Sequence, residues 1–165
     1  MKVGIVGYGV VGKTRFHSIV KNTPYKITAI SENNSTARKD IPKNIDVFED
    51  YQSLIEQSNV DIVFISLPNK FAANATVLSL KKGLHVFCEK PPARTLAELG
   101  EVLLVSQQHP GLKLMYGFNH RFHHSVEEAK LIIEENSLGR LINMRGVYGK
   151  SQMISFNQSD WRTRR

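Results

Sequence analysis

Among its 165 residues the chain has a single cysteine, Cys88, a single tryptophan and no long apolar run. One thiol can form neither an intramolecular disulfide nor a zinc site built on clustered cysteines. Nowhere does the sequence approach the ~20 consecutive apolar residues that a membrane helix needs, so no membrane span is expected. The opening Met1-Lys2-Val3-Gly4-Ile5-Val6 lacks the longer apolar region and cleavage site of a secretory signal. It reads directly as a strand, and a cytoplasmic protein is expected. Internal repeats and low-complexity tracts are missing too, which argues against a repeat architecture.

What is present is ordinary for a globular protein: 41% hydrophobic and 22% charged residues. The length suits one full domain and the start of a second. The formal net charge is +7. Its lysines and arginines are scattered among hydrophobic runs, and only Arg162-Thr163-Arg164-Arg165 clusters. The surplus reads as a solvated surface with a basic end, and no specific nucleic-acid partner is expected.

Apolar runs alternate with helical patterns, the signature of repeated βα units and a parallel sheet. Strands are predicted at 2–6, 25–30, 46–48, 61–67, 84–88 and 113–116. Residues 61–67, Asp-Ile-Val-Phe-Ile-Ser-Leu, are nearly all apolar, as in a strand buried on both faces. Helices are predicted at 10–21, 50–57, 71–82 and 125–135, with Gly83 and Gly139 as stops. Thr95 and Glu98 have capping-box spacing, and Leu96, Leu99 and Leu103 mark the expected buried face of the helix that follows. A further strand is expected to begin at 141–148, and 151–165 shows no clear periodicity. The first domain is expected to end near Gly117–His120.

Gly7-Tyr8-Gly9-Val10-Val11-Gly12 matches G-x-G-x-x-G, here following a strand and opening a helix. Gly7 permits a tight turn, Gly9 lets backbone approach a pyrophosphate, and Gly12 lets helix and strand pack closely. The helix start supplies unpaired amides and partial positive charge for phosphates. Glu32 lies 20 residues past Gly12. A carboxylate there can accept hydrogen bonds from a ribose diol and repels a 2′-phosphate, which favours NAD over NADP. An ordinary loop carboxylate is the alternative, and Arg38 and Lys39 lie near enough in sequence to keep NADP open. His120, His123 and His124 match no zinc spacing, and no metal is expected.

His85-Val86-Phe87-Cys88-Glu89-Lys90-Pro91-Pro92, downstream of the glycine motif, resembles the strand ending in Glu-Lys-Pro of the glucose–fructose oxidoreductase, inositol dehydrogenase and MocA family. Leu67-Pro68-Asn69, Gly117-Phe118-Asn119-His120-Arg121-Phe122, Leu138-Gly139-Arg140-Leu141 and Trp161-Arg162 resemble further segments of that family, in order along essentially the whole chain. The resemblance implies an α/β fold. A Rossmann-type doubly wound parallel sheet would occupy residues 1–118, and 119–165 would begin an incomplete α/β domain for substrate and oligomer contacts. It implies hydride exchange between NAD(P) and a sugar, polyol or nucleotide-sugar hydroxyl or ketone, with a homo-oligomer as the assembly. Lys90 becomes the catalytic or substrate-orienting cation, its ammonium stabilising charge on the reacting oxygen or, if buried, exchanging a proton with it. Glu89 would hold Lys90 or contact cofactor. Leu67, Pro68 and Asn69 would line the cofactor side. Asn119, Arg121, Trp161 and Arg162 would lie on the substrate side or else serve packing and surface roles. Cys88 reads as a buried strand residue.

Two departures from the family pattern stand out. Ala72 occupies a position where the family often carries histidine. The sequence also stops after Trp161-Arg162-Thr163-Arg164-Arg165, without the family's glycine-rich segment and Asp-x-Gly-x-His motif. The expectation is therefore a truncated chain that binds dinucleotide with little turnover. A non-catalytic dinucleotide-binding module, a sensor or an assembly partner, is the alternative.

Overall fold

In the computed structural model, residues 1–147 are described. Trp161, Arg162 and the last residue of the strand expected at 141–148 lie outside them. The first of two compact units runs from Met1 to His120. It alternates strands and helices: β1 (Lys2–Val6), α1 (Val10–Asn22), β2 (Lys26–Ser31), α2 (Ser35–Arg38), β3 (Asp46–Phe48) and α3 (Tyr51–Gln57). Then come β4 (Ile62–Ile65), α4 (Asn69–Lys81), β5 (His85–Cys88), α5 (Leu96–Gln108) and β6 (Leu114–Tyr116). The strands form one parallel sheet in the order β3-β2-β1-β4-β5-β6. The chain thus builds outward from β1 to β3, then returns to lay β4 on the other side of β1. That reversal makes the gap between the ends of β1 and β4 the topological switch point, where open α/β sheets bind ligands.

The strand sequences explain the layering. Val3, Ile5, Val6, Val63 and Ile65 are fully buried, because β1 and β4 are central and covered on both faces. One core cluster joins Val6, Val63, Ile65 and Val86 to Leu54 and Ile55 of α3, Leu80 of α4, and Val102 and Val105 of α5. A smaller one joins Val3, Ile5 and Ile30 to Ile19 of α1, with Tyr8, Ile41 and Ile45. Helices therefore cover both faces of a doubly wound sheet.

Several local expectations need correction. α4 begins two residues early, at Asn69, because Pro68 occupies its N-cap and presets the entry; Gly83, with φ 85°, closes it. In α5 the buried face carries Val102 and Val105, while Leu96 is 87% and Leu103 54% exposed. A leucine is long enough to suggest a core position from either side of the stripe, and only tertiary packing decides. Thr95 accepts from the Glu98 amide as expected, at 3.2 Å, but the Glu98 carboxylate turns back one residue further. It takes the Arg94 amide and guanidinium, a charge-assisted partner that outcompetes the Thr95 amide. α2, a single turn capped by Asn34, has too little length to show periodicity and was not foreseen.

A 3-10 turn spans Asn119–Phe122, and the second unit starts at Arg121. It contains α6 (His124–Glu134), where His123 accepts from the Ser125 amide. Asn136, at φ 54°, is the left-handed residue that follows α6, ahead of the expected Gly139. Residues 141–147 form no strand. Their alternating pattern has no ladder among the described residues, and a strand exists only as a paired object. No helix among the described residues is long and apolar enough to cross a membrane.

Candidate functional site

β1 hands over to α1 through the glycine motif, and its three glycines answer to different constraints. Gly7 has φ 86°, and a Cβ there would lie 2.8 Å from the Ser66 carbonyl oxygen. A Cβ at Gly12 would lie 2.0 Å from the Gly7 carbonyl oxygen, so the first turn of α1 rests directly on the loop. A Cβ at Gly9 would meet nothing within 4 Å, and Gly9 has an ordinary φ of −69°. The fold explains Gly7 and Gly12. It gives no reason for Gly9, whose missing side chain clears open space over the helix start.

That start is bare. α1 has no side-chain cap and no acidic residue in its first turn, and Val10 and Val11 are exposed there. The first amides of any helix lack intrahelical acceptors, so this end presents donors and partial positive charge to whatever lies above Gly9. α4 likewise has no side-chain cap. It follows β4, the neighbour of β1, and Leu67 reaches to 3.2 Å from where a Gly7 Cβ would stand. Leu67, Pro68 and Asn69 therefore border the same switch point as the glycine loop.

Tyr8 offers only its backbone to this edge. Its ring is buried, edge-on to Phe16 at 5.8 Å, and burial raises the hydroxyl above its ordinary pKa. Its amide donates to Glu32 Oε2 at 2.8 Å, and the Asn34 amide donates to Glu32 Oε1 at 2.9 Å. Glu32 thus ties the glycine loop to the turn after β2. Arg38 is held by Glu49 at 2.6 Å, and Lys39 is exposed.

β5 ends in the Glu-Lys-Pro segment, with a cis Lys90–Pro91 bond. The Glu89 amide donates to the Ile65 carbonyl at 2.9 Å, carrying the sheet pairing one residue past β5. Glu89 Oε1 accepts from Arg15 Nε at 2.7 Å and from Arg15 Nη2. The Arg15 guanidinium also sits over the Phe87 ring, 5.0 Å from its centroid. Oε2 of Glu89 lies 3.0 Å from where a Gly117 Cβ would be, so glycine there leaves room for the carboxylate. Lys90 is exposed, and no described residue pairs with its ammonium. Cys88 beneath is fully buried, its thiol pushed up to about 11 by desolvation.

These groups line an open cleft of about 310 Å³ with Val11, Thr14 and Asn119. The sequence had singled out Val11, Glu89, Lys90 and Asn119. It missed Arg15, Thr14 and, as a site residue, Gly117. Val11, Thr14 and Arg15 are spaced i, i+3 and i+4, one face of α1, and that spacing was the available signal. Arg121 falls in the second unit. Glu89 is bonded to Arg15, where a contact with Lys90 was one of two expectations. Among the described residues no group of three His, Cys, Asp or Glu side chains is placed to hold a metal.

The bare helix start, the space at Gly9 and the carboxylate at the end of β2 fit a dinucleotide. A family model described as an oxidoreductase family with an NAD-binding Rossmann fold matches residues 1–118. The uncharacterized oxidoreductase YrbE of Bacillus subtilis is 32% identical over 139 residues, 82% of this chain and 40% of that protein. Inositol 2-dehydrogenase of Salmonella typhimurium is 26% identical over 159 residues, 93% of this chain and 47% of that protein. The crystal structure of scyllo-inositol dehydrogenase from Lactobacillus casei, with bound NAD(H) and scyllo-inositol, superposes with a TM-score of 0.77 at 30% identity. That match covers 84% of this chain and 42% of the other. The chain spans less than half the length of the curated relatives it matches.

Proposed function

The chain belongs to the oxidoreductase family with an NAD-binding Rossmann fold, and from that premise we propose that it holds NAD(H) for hydride exchange with a sugar or polyol. Residues 1–118 act as the dinucleotide domain, and 119–165 begin a substrate and oligomerisation domain of a homo-oligomer. The pyrophosphate sits over Gly9, received by the amides of the first turn of α1. The two backbone donors on Glu32 leave lone pairs on both carboxylate oxygens for a ribose diol, and its charge repels a 2′-phosphate. Of the two cations that could take such a phosphate, Arg38 is already paired with Glu49, which leaves Lys39 against the charge of Glu32. NAD is therefore the preferred cofactor over NADP. Leu67, Pro68 and Asn69 form the opposite border.

Bound NAD supplies a hydride acceptor at its nicotinamide. The chain supplies a polar cleft whose one surplus charge is cationic. The Lys90 ammonium orients the reacting hydroxyl and stabilises negative charge developing on its oxygen, the role its exposed position suits. Asn119, also in the cleft, can donate to and accept from neighbouring hydroxyls, which suits a sugar, a polyol or the sugar of a nucleotide sugar. Arg121, Trp161 and Arg162 are candidates for the substrate side.

The observation that carries this reading is the open space at Gly9 above an uncapped α1. Calorimetric titration with NADH and NADPH in parallel tests it, with preferential NADH binding expected. Preference for NADPH would remove the role given to Glu32. Binding of neither would remove the cofactor site. Incubation with NAD and a panel of polyols and sugars, followed by absorbance of reduced nicotinamide, tests the chemistry. Little turnover is expected of a chain that spans less than half its relatives' length, so the same assay on a chain extended to that length separates an enzyme from a non-catalytic dinucleotide module.

A further inference from the structure

We propose that Arg15 is a positioning residue: by holding Glu89 it keeps that carboxylate from pairing with the Lys90 ammonium, which lines the cleft. This rests on the reading of Lys90 as the cation that meets substrate.

Among the described residues, the charged ones lining the cleft are Arg15, Glu89 and Lys90. Glu89 and Lys90 are adjacent in sequence, so the carboxylate nearest to Lys90 along the chain is that of Glu89. Lys90 ends on a flexible four-carbon stem that can turn toward such a neighbour. What prevents the pairing is Arg15. Two of its N–H groups converge on Oε1 of Glu89, and its guanidinium carbon sits over the Phe87 ring. The other oxygen of Glu89 is packed toward Gly117. The side chains of Arg15 and Glu89 are 28% and 14% exposed, so the pair is partly desolvated and holds its geometry better than a surface ion pair.

The arrangement also sets the charge of the cleft. Arg15 cancels Glu89, and the remaining positive charge is that of Lys90. Without Arg15 the partly buried carboxylate loses its counterion and Lys90 becomes the nearest replacement. The cleft would then be neutral, with its ammonium engaged. A residue from the first turns of α1 thereby controls a side chain beyond the end of β5, and Gly117 at the end of β6 completes the seat.

Competitive trace labelling of the 165-residue chain with acetic anhydride, read by peptide mass spectrometry, tests this without any cofactor. Labelling of Lys90 is measured against Lys21 and Lys81 of the same chain. Arg15→Met is expected to slow Lys90 labelling about fivefold, the size of one ordinary hydrogen bond, since the new pair stays partly solvated. Arg15→Met with Glu89→Gln is expected to restore it to within about twofold of the unsubstituted chain, because the capturing charge is gone. If Arg15→Met unfolds the chain, Arg15→Lys with and without Glu89→Gln decides the matter. The lysine keeps a cation but loses the fork, so a smaller slowing, again relieved by Glu89→Gln, is expected. Unchanged labelling on loss of the arginine, or slowing that Glu89→Gln fails to relieve, would overturn the proposal. A parallel NADH titration separates the two readings. The expected labelling pattern without NADH binding would leave Arg15 in its role and remove the cofactor assignment; binding without the pattern would do the reverse.

Discussion

The helices of the described chain begin in two ways. α2, α3, α5 and α6 are each closed by a side chain of their own, from Asn34, Asp50, Thr95 and His123. α1 and α4 are closed by none, with Gly9 and Pro68 at their N-caps. A side-chain cap stabilises a helix by about 1 kcal/mol, so its omission at two ends has a cost. The two bare ends follow β1 and β4, the neighbours between which the sheet order reverses. Where the chain leaves amides open, it leaves them beside each other and at the switch point. The contrast teaches that side-chain caps close the four helices away from the switch point and are withheld at the two that border it, where the proposed dinucleotide would lie.

Three substitutions would break or sharpen this contrast. The largest effect is expected from Gly12→Ala. Its Cβ would stand 2.0 Å from a backbone oxygen that cannot step aside. Denaturant unfolding should show a loss of about 3 kcal/mol or more, and wild-type stability would mean that α1 does not rest on the loop. Gly9→Asp comes next and inverts the usual trade. Its side chain has room, and the extended backbone there suits an N-cap. The unliganded chain should gain about 0.5–1 kcal/mol. NADH affinity by calorimetry should fall at least about tenfold, since the new carboxylate takes the place of the phosphates. Retained affinity would separate the bare end from cofactor binding. The smallest effect belongs to a capped end: Asp50→Ala should cost about 1 kcal/mol in the same unfolding experiment and leave NADH affinity unchanged. A loss of affinity there would show that the two kinds of helix start are not independent.

Much of the sheet was legible because its strands are short apolar runs between clear breaks. β1 and β3 fall where periodicity placed them, and β2, β4, β5 and β6 lie within one or two residues of it. The glycine motif was legible because its meaning depends on local context, a strand before and a helix after. The buried face of α5 was not, since Leu96, Leu99 and Leu103 fit a helical stripe as well as Val102 and Val105 do. The partner of Glu98 was displaced by a neighbouring guanidinium that no capping rule weighs. Arg15 was missed for a stronger reason. Its contact is with a carboxylate just past the end of β5, and no window along the chain contains both.

That separation has a kinetic meaning. Arg15 and Glu89 lie 74 positions apart, and the entropy of closing so long a loop is repaid only by contacts that form afterwards. Their bond requires β1 to have zipped to β4, and β4 to β5. A nascent chain that has not yet made residue 89 already possesses the glycine loop, but it has neither wall of the cleft that β5 and β6 contribute. Competence at the cleft is thus a late event in folding. A partly assembled sheet lacks the Arg15–Glu89 bond, and the walls of the cleft come together only when the long-range register of the sheet is complete.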